Sequence, residues 1–184
     1  MTKLWFIEKV PAHLQDAFTK RMYEIKDRLG IEPNWLMVVM LYESGVNPAA
    51  VNPVGGATGL IQFMPTTARG LGTSTEALRM MDHVQQLDYV EKYYRPYAGK
   101  IKSGEDLYLI NFYPYAIYQP DSYIIGSEKG MGYAKKVYEQ NAGVRRDTNK
   151  DGYISKGEWK KSLREKIEKK LQDPAKINFF FQEG

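Results

Sequence analysis

The run Trp35-Leu36-Met37-Val38-Val39-Met40-Leu41-Tyr42, followed at once by Glu43-Ser44-Gly45, decides how this chain folds. Eight apolar residues in a row cover every face of a helix, so that helix has to sit in the middle of the molecule with others around it. Pro33 suits its first turn and Gly45 its end. Working outward, Leu14, Phe18, Met22, Ile25 and Leu29 recur at three and four residue spacings between Pro11 and Gly30, the mark of a helix with one buried face. Downstream, the same reading predicts helices over Pro65 to Leu71, Thr75 to Met81, Asp82 to Tyr94, Ser103 to Phe112, Gly132 to Asn141 and Lys156 to Leu171. Trp159, Leu163, Ile167 and Leu171 form the stripe of the last. Pro114 and Pro120 bound a Tyr-rich loop. The expected fold class is mainly α.

Composition removes several chemistries. The chain has 184 residues with 43% hydrophobic and 26% charged, ordinary values for one globular domain with a short appendage. There is no Cys, so thiol nucleophiles, thiolate zinc sites and disulfides are excluded. His13 and His83 are isolated and form no HExxH pattern. Carboxylate chemistry is what remains. The net charge of +4 and a pI near 9.0 invite an anionic partner. The excess is local: 11 basic against 6 acidic residues fall between Arg145 and Lys176. It reads as a tether to an anionic polymer or a solvated helix face, and not as a nucleic-acid site. The beginning of the sequence has no apolar core of a signal peptide, and no run of apolar residues is long enough for a membrane span.

Residues 45–64 lack helical periodicity and hold Pro48, Pro53, Gly55, Gly56 and Gly59, a long shaped loop of the kind that carries function. Glu43 stands directly before it. A carboxyl group at the end of so apolar a helix loses solvation, which favours its protonated form and suits a general acid; the alternative is a side chain turned to solvent at a helix end.

The stretch Glu43-Ser44-Gly45-Val46-Asn47-Pro48-Ala49-Ala50-Val51-Asn52-Pro53-Val54-Gly55-Gly56-Ala57-Thr58-Gly59-Leu60-Ile61-Gln62-Phe63-Met64-Pro65-Thr66-Thr67-Ala68 resembles the signature of the soluble lytic transglycosylases, relatives of goose-type lysozyme. Gly30-Ile31-Glu32-Pro33 is similar to the segment leading into that family's catalytic helix, and Gln86-Leu87-Asp88-Tyr89-Val90 to its next helix. The likeness spans roughly residues 25–140. It implies a lysozyme-like helical domain and cleavage of the β-1,4 bond between N-acetylmuramic acid and N-acetylglucosamine in peptidoglycan. By that resemblance Glu43 is the catalytic acid and then base, forming a 1,6-anhydromuramoyl end. Ser44, Gln62, Asn111, Tyr113 and Tyr133 are the implied substrate-binding residues; a helix-end hydroxyl, a turn amide and a core tyrosine are the plainer roles of Ser44, Gln62 and Tyr133. One departure stands out. Where the family has Ala-Tyr-Asn-Ala-Gly-Pro, this chain has Leu109-Ile110-Asn111-Phe112-Tyr113-Pro114, so Tyr113 stands in for a displaced phenol. Hydrolysis of the same bond by a muramidase, and a non-catalytic peptidoglycan-binding protein, remain as alternatives. A hydrolase needs a second carboxylate, for which Asp82, Asp88, Asp106 and Asp121 are the candidates.

Asp147-Thr148-Asn149-Lys150-Asp151-Gly152-Tyr153-Ile154-Ser155-Lys156-Gly157-Glu158 matches the twelve-residue EF-hand loop. Calcium ligands are expected from Asp147, Asn149, Asp151, the Tyr153 carbonyl, Ser155 through water, and Glu158, with Gly152 at the sharp turn. The alternative is a polar turn before a helix. A single loop, led into by the poor helix former Asn141-Ala142-Gly143-Val144, suggests one structural Ca2+ and not a sensor, and the neighbouring Arg145, Arg146, Lys150 and Lys156 weaken affinity. The sequence therefore divides into a transglycosylase-like part, 1–140, and an EF-hand-like loop with a C-terminal helix, 141–184. The expected partners are peptidoglycan strands, with a monomeric enzyme acting on the cell wall in the periplasm or outside the cell. Delivery by a bacteriophage fits the missing leader best, with a virion or secretion-machinery partner; a trimmed mature form is the remaining origin.

Overall fold

The computed structural model describes residues 2–143 and 147–182. Val144, Arg145 and Arg146, which belong to the expected lead into the metal loop and to its basic surroundings, lie outside them. The chain is mainly α. Nine α-helices are described: α1 Gln15–Leu29, α2 Pro33–Ser44, α3 Pro65–Gly70, α4 Thr75–Arg79, α5 His83–Tyr94, α6 Gly104–Phe112, α7 Met131–Gln140, α8 Lys156–Leu171 and α9 Pro174–Phe181. Among the described residues there are no strands, only isolated bridges at Val51 with Thr58, Thr58 with Phe63 and Ile124 with Ser155. No described helix is long and apolar enough to cross a membrane.

Packing divides the chain into two compact units, residues 1–107 and 108–182. In the second unit α7 packs with the turn before it: Ala134 and Val137 lie against Gly126.

In the first unit α1 buries Phe18, Met22, Ile25 and Leu29, as the spacing predicts, and packs on α2 and α5. Gly30 ends it with φ +71° and donates its N–H to Lys26 O at 2.7 Å. From Trp35 to Leu41 every residue of α2 is buried, and Pro33 is as well. A helix without a polar face is held only by what surrounds it. Two successive residues in the left-handed region, Gly45 at φ +67° and Val46 at φ +64°, turn the chain out of α2. A β-branched residue rarely takes that conformation, and here the His83 ring Nε2 lies 2.9 Å from Val46 O, while burial holds the His83 pKa below its ordinary value.

The ends of the shorter helices follow their sequence signals. Asp82 and Gln85 form a reciprocal capping box at the start of α5. Ser103 accepts the Asp106 N–H at 3.1 Å, and Asp106 reaches back one residue further, to the Lys102 N–H at 2.9 Å. Across α1 and α5, the carboxylate of Glu91, 2% exposed, takes hydrogen bonds from Arg21 at 2.5 Å and from Arg28 and Arg95 at 3.0 Å. Burial pushes the Glu91 pKa up, but the three guanidinium groups outweigh it and hold it at about 2.

In the second unit Trp159, Leu163 and Ile167 of α8 are buried, with Trp159 stacked on Phe112 at 5.6 Å. The segment between Pro114 and Pro120 is a 3-10 turn over Pro114–Tyr118, and a second turn covers Ser127–Lys129. Helix α9 has no counterpart among the predicted helices. Asp173 caps it by accepting the Lys176 N–H at 3.1 Å, Phe180 is buried and Arg164 lies 4.1 Å from the centre of the Phe181 ring.

Candidate functional site

Glu43 occupies the last turn of α2 and is half-buried. Its surroundings are aromatic and poorly hydrated. Burial pushes the adjacent Tyr42 phenol up to about 12. Tyr93 of α5 is pushed up as well, first by burial and then by the charges of Tyr97 and Glu43, which places its ring within the field of the carboxyl group. Tyr93 meets Phe63 edge-on at 6.2 Å and Tyr94 at 4.9 Å. The sequence did not single out Tyr93; its one signal is the i, i+1 aromatic pair at the end of a helix.

The loop after Glu43 is closed on itself and pinned from below. Ser44 Oγ lies 3.1 Å from Met40 O and 2.9 Å from Leu60 O, its one proton serving either, and it accepts the Asn47 N–H at 3.2 Å. Thr58 and Phe63 exchange two backbone hydrogen bonds of 2.9 and 2.8 Å, which fold residues 58–63 into a tight turn. Gln62 stands in that turn at φ +58° and its amide nitrogen donates to Gly59 O at 3.1 Å and Ala50 O at 3.3 Å. Under the loop, Gln86 of α5 is fully buried. It accepts the Leu60 N–H at 2.9 Å and donates to Pro48 O at 2.6 Å and Leu78 O at 2.7 Å. Nothing in the local sequence marks Gln86 for this, since its partners lie 26, 38 and 8 residues away. A pocket of about 160 Å³ on the loop is lined by Val51, Gly56, Thr58, Thr75, Glu76 and Arg79, and not by Glu43 or Gln62.

The four acids considered as second carboxylates all have partners. Asp82 caps α5 through the Val84 and Gln85 N–H groups, each at 2.8 Å, and Asp88 is bridged to Arg21 at 2.9 Å. Asp106 takes the Lys102 N–H, and in the second unit Asp121 pairs with Lys160 at 3.1 Å.

Asn111, Tyr113 and Tyr133 belong to the second unit. Asn111 lies in α6 and is half-buried. Tyr113 donates its hydroxyl to Glu128 at 2.5 Å, and Tyr123 donates to the other oxygen of the same carboxylate. Burial pushes Glu128 up, but these two hydroxyls hold its pKa below the ordinary value. Tyr133 is exposed, with the Lys129 ammonium 4.8 Å from its ring centre.

In the segment 147–158, Asp147 accepts the Asp151 and Gly152 N–H groups at 3.0 and 2.9 Å, and Asp151 accepts the Tyr153 N–H at 2.9 Å. Lys150 and Gly152 take φ of +59° and +77°. Glu158 accepts from the N–H and hydroxyl of Thr148 and of Ser155 at 2.8 to 3.0 Å, and despite burial these bonds hold its pKa at about 2. Among the described residues, no three His, Cys, Asp or Glu side chains gather as a metal-holding group.

Residues 21–92 match the family model described as the transglycosylase SLT domain. The matched stretch begins within α1, takes in α2 with Glu43 and the whole loop, and ends in α5. It lies wholly in the first unit. No curated protein and no solved structure matches the chain.

Proposed function

We propose that the first unit is a peptidoglycan lytic transglycosylase, with Glu43 as its single acid and base. The observation that carries this is the placement of Glu43. It sits at the end of a helix that is buried from Trp35 to Leu41, among phenols whose pKa values burial has raised, inside the stretch that matches the transglycosylase SLT domain. A carboxylic acid placed there as general acid delivers its proton to the glycosidic oxygen. As that bond breaks, C1 of the muramoyl residue becomes electron-deficient. The Glu43 carboxylate then takes the proton of the C6 hydroxyl as its oxygen closes onto C1, so the acid is regenerated and no water is consumed. The commitments of Asp82, Asp88, Asp106 and Asp121 to helix caps and ion pairs favour this route over hydrolysis, which requires a second carboxylate near the bond.

Ser44 holds the end of α2 to the loop, so its role is to fix Glu43. Gln62 spends its amide nitrogen inside the loop and meets a sugar acetamide through its carbonyl oxygen and neighbouring backbone. By the same resemblance Asn111, Tyr113 and Tyr133 bind glycan. Purified peptidoglycan incubated with the protein is expected to yield 1,6-anhydromuropeptides by mass spectrometry. Reducing muramic acid ends would replace this reading by hydrolysis, and the absence of soluble products would overturn it.

The segment 147–158 fits a structural calcium ion in its donor chemistry. Asp147 and Asp151 are already oriented by backbone N–H groups, the Tyr153 carbonyl and Ser155 hydroxyl lie in the same turn, and Glu158 is ionised as a bidentate ligand has to be. A bound calcium ion would supply only cross-linking charge. The chain already ties the end of this loop to its neighbour: Ile125 N–H bonds Ile154 O at 2.9 Å and Lys156 N–H bonds Tyr123 O at 2.8 Å.

A further inference from the structure

The chain leaves α2 through a turn that one of its own residues disfavours. Gly45 and Val46 both take left-handed backbone angles, φ +67° and +64°. Glycine is the usual residue at such a helix end. Val46, β-branched and 1% exposed, is not. The turn closes the helix with two bonds, Gly45 N–H to Leu41 O and Val46 N–H to Met40 O, each 3.1 Å. Glu43 lies inside the stretch that those bonds span. A disfavoured backbone angle persists only where the surrounding structure holds it there.

The group that holds it comes from α5. His83, the first residue of that helix, is 8% exposed and places Nε2 2.9 Å from Val46 O. A carbonyl oxygen only accepts, so Nε2 carries the proton. The ring is fixed from two other directions. Phe18 of α1 meets it edge-on at 6.3 Å, and Asp82, the residue before it, caps α5 by accepting the Val84 and Gln85 N–H groups, each at 2.8 Å. Gln86 follows at the i+3 position, on the same helix face, and it donates to Pro48 O and accepts the Leu60 N–H. One face of α5 thus grips the loop at residues 46, 48 and 60, and His83 holds the point nearest to Glu43 along the chain.

We infer that His83 is a positioning residue for Glu43: its N–H, donated to Val46 O, holds the left-handed turn and so fixes the last turn of α2, which aims the carboxyl group. Without that bond Val46 is free to relax towards the extended or right-handed angles that a β-branched residue prefers. The relaxation pulls on the bond from Val46 N–H to Met40 O, and Met40 O is also the atom 3.1 Å from the Ser44 hydroxyl. Both ties bracket Glu43. Packing on Phe18 alone calls for an apolar ring, whereas a buried imidazole has to satisfy its N–H, and Val46 O does so. Glycine in place of Val46 would take the same angles freely. Val46 and His83 are therefore a strained residue and its brace.

The catalytic role of Glu43 rests on the transglycosylase reading of the first unit, and the test separates the two. In the full chain His83→Leu removes the donor, while His83→Gln keeps an N–H near the place of Nε2. His83→Phe, which keeps an aromatic ring against Phe18, takes the place of His83→Leu should that variant not fold. The decisive addition is Val46→Gly, in which the turn needs no brace. His83→Leu is expected to lower kcat for anhydromuropeptide release about tenfold with KM unchanged, as a misaimed acid does. His83→Gln, or Val46→Gly added to His83→Leu, is expected to restore most of that loss. An undiminished kcat in His83→Leu, a raised KM with kcat intact, or a loss that Val46→Gly does not restore would overturn the brace. A second measurement needs no turnover. The 13C resonance of the Glu43 carboxyl group, assigned by its absence in Glu43→Gln, is expected to move in His83→Leu and to return when Val46→Gly is added. A resonance that does not move, or does not return, overturns the brace whatever the activity. The expected movements in a wild-type background that releases no anhydromuropeptides overturn only the catalytic reading.

Discussion

Gly59 and Gln86 occupy one space: a Cβ on Gly59 would lie 2.5 Å from Gln86 Oε1, the atom that accepts the Leu60 N–H. The loop that follows Glu43 thus rests directly on a buried amide of α5. Gln86→Leu strands a backbone N–H and two carbonyls without partners, and is expected to destabilise the protein by roughly 3 kcal/mol. Gly59→Ala adds a clash to an already positive φ of +87° and is expected to cost about 2 kcal/mol or more. Urea denaturation of both variants measures this, and midpoints equal to wild type would refute the anchoring.

Glu43→Gln keeps the volume of the side chain and removes its proton chemistry. The expected outcome is a fall in anhydromuropeptide release of about a thousandfold with an unchanged melting temperature. Turnover near the wild-type rate would show that another group supplies the acid.

Acid should loosen the first unit through Glu91. Its folded pKa of about 2 lies below the ordinary value of 4.5, so the ionised group contributes stability that is fully present above that ordinary value. This contribution drains away as pH falls from about 4.5 towards 2. Glu158 behaves in the same sense in the second unit, with its pKa also at about 2. Glu91→Gln is expected to flatten the fall in stability across this window while lowering stability at neutral pH, where it leaves three guanidinium groups facing a neutral amide. Unfolding curves collected from pH 2 to pH 6 give the slope, and a slope identical to wild type would count against the ion cluster.

Calcium should raise the melting temperature of the wild-type chain, by linkage worth about 2.7 kcal/mol at a hundredfold excess over the dissociation constant. Asp151→Asn is expected to remove most of that response. Identical melting in calcium and in chelator would dismiss the metal site.

How much of this was legible beforehand depends on how local each signal is. The helix Pro33–Ser44 was readable because its sequence states its burial outright, and α1 because Phe18, Met22, Ile25 and Leu29 repeat at helical spacing up to a glycine. Glu43 was legible as the first acid after that run. The role of Gln86 was not, because its meaning comes from backbone groups 26 and 38 residues away. The clamp on Glu128 was hidden for a related reason: its acceptor sits in a 3-10 turn whose sequence, Ser127-Glu128-Lys129, resembles any solvated turn. Helix α9 escaped because Phe179, Phe180 and Phe181 in succession carry no helical periodicity; Asp173 before Pro174 was the one cap signal available.

From Trp35 to Leu41 the helix that bears Glu43 has no side that faces water. Its register is therefore fixed by core volume, and sliding or rotating it to re-aim the acid would move large side chains into occupied space. Variation in what surrounds Glu43 has to come from the loop that follows it, while the carboxyl group itself is as hard to relocate as the core is to rebuild.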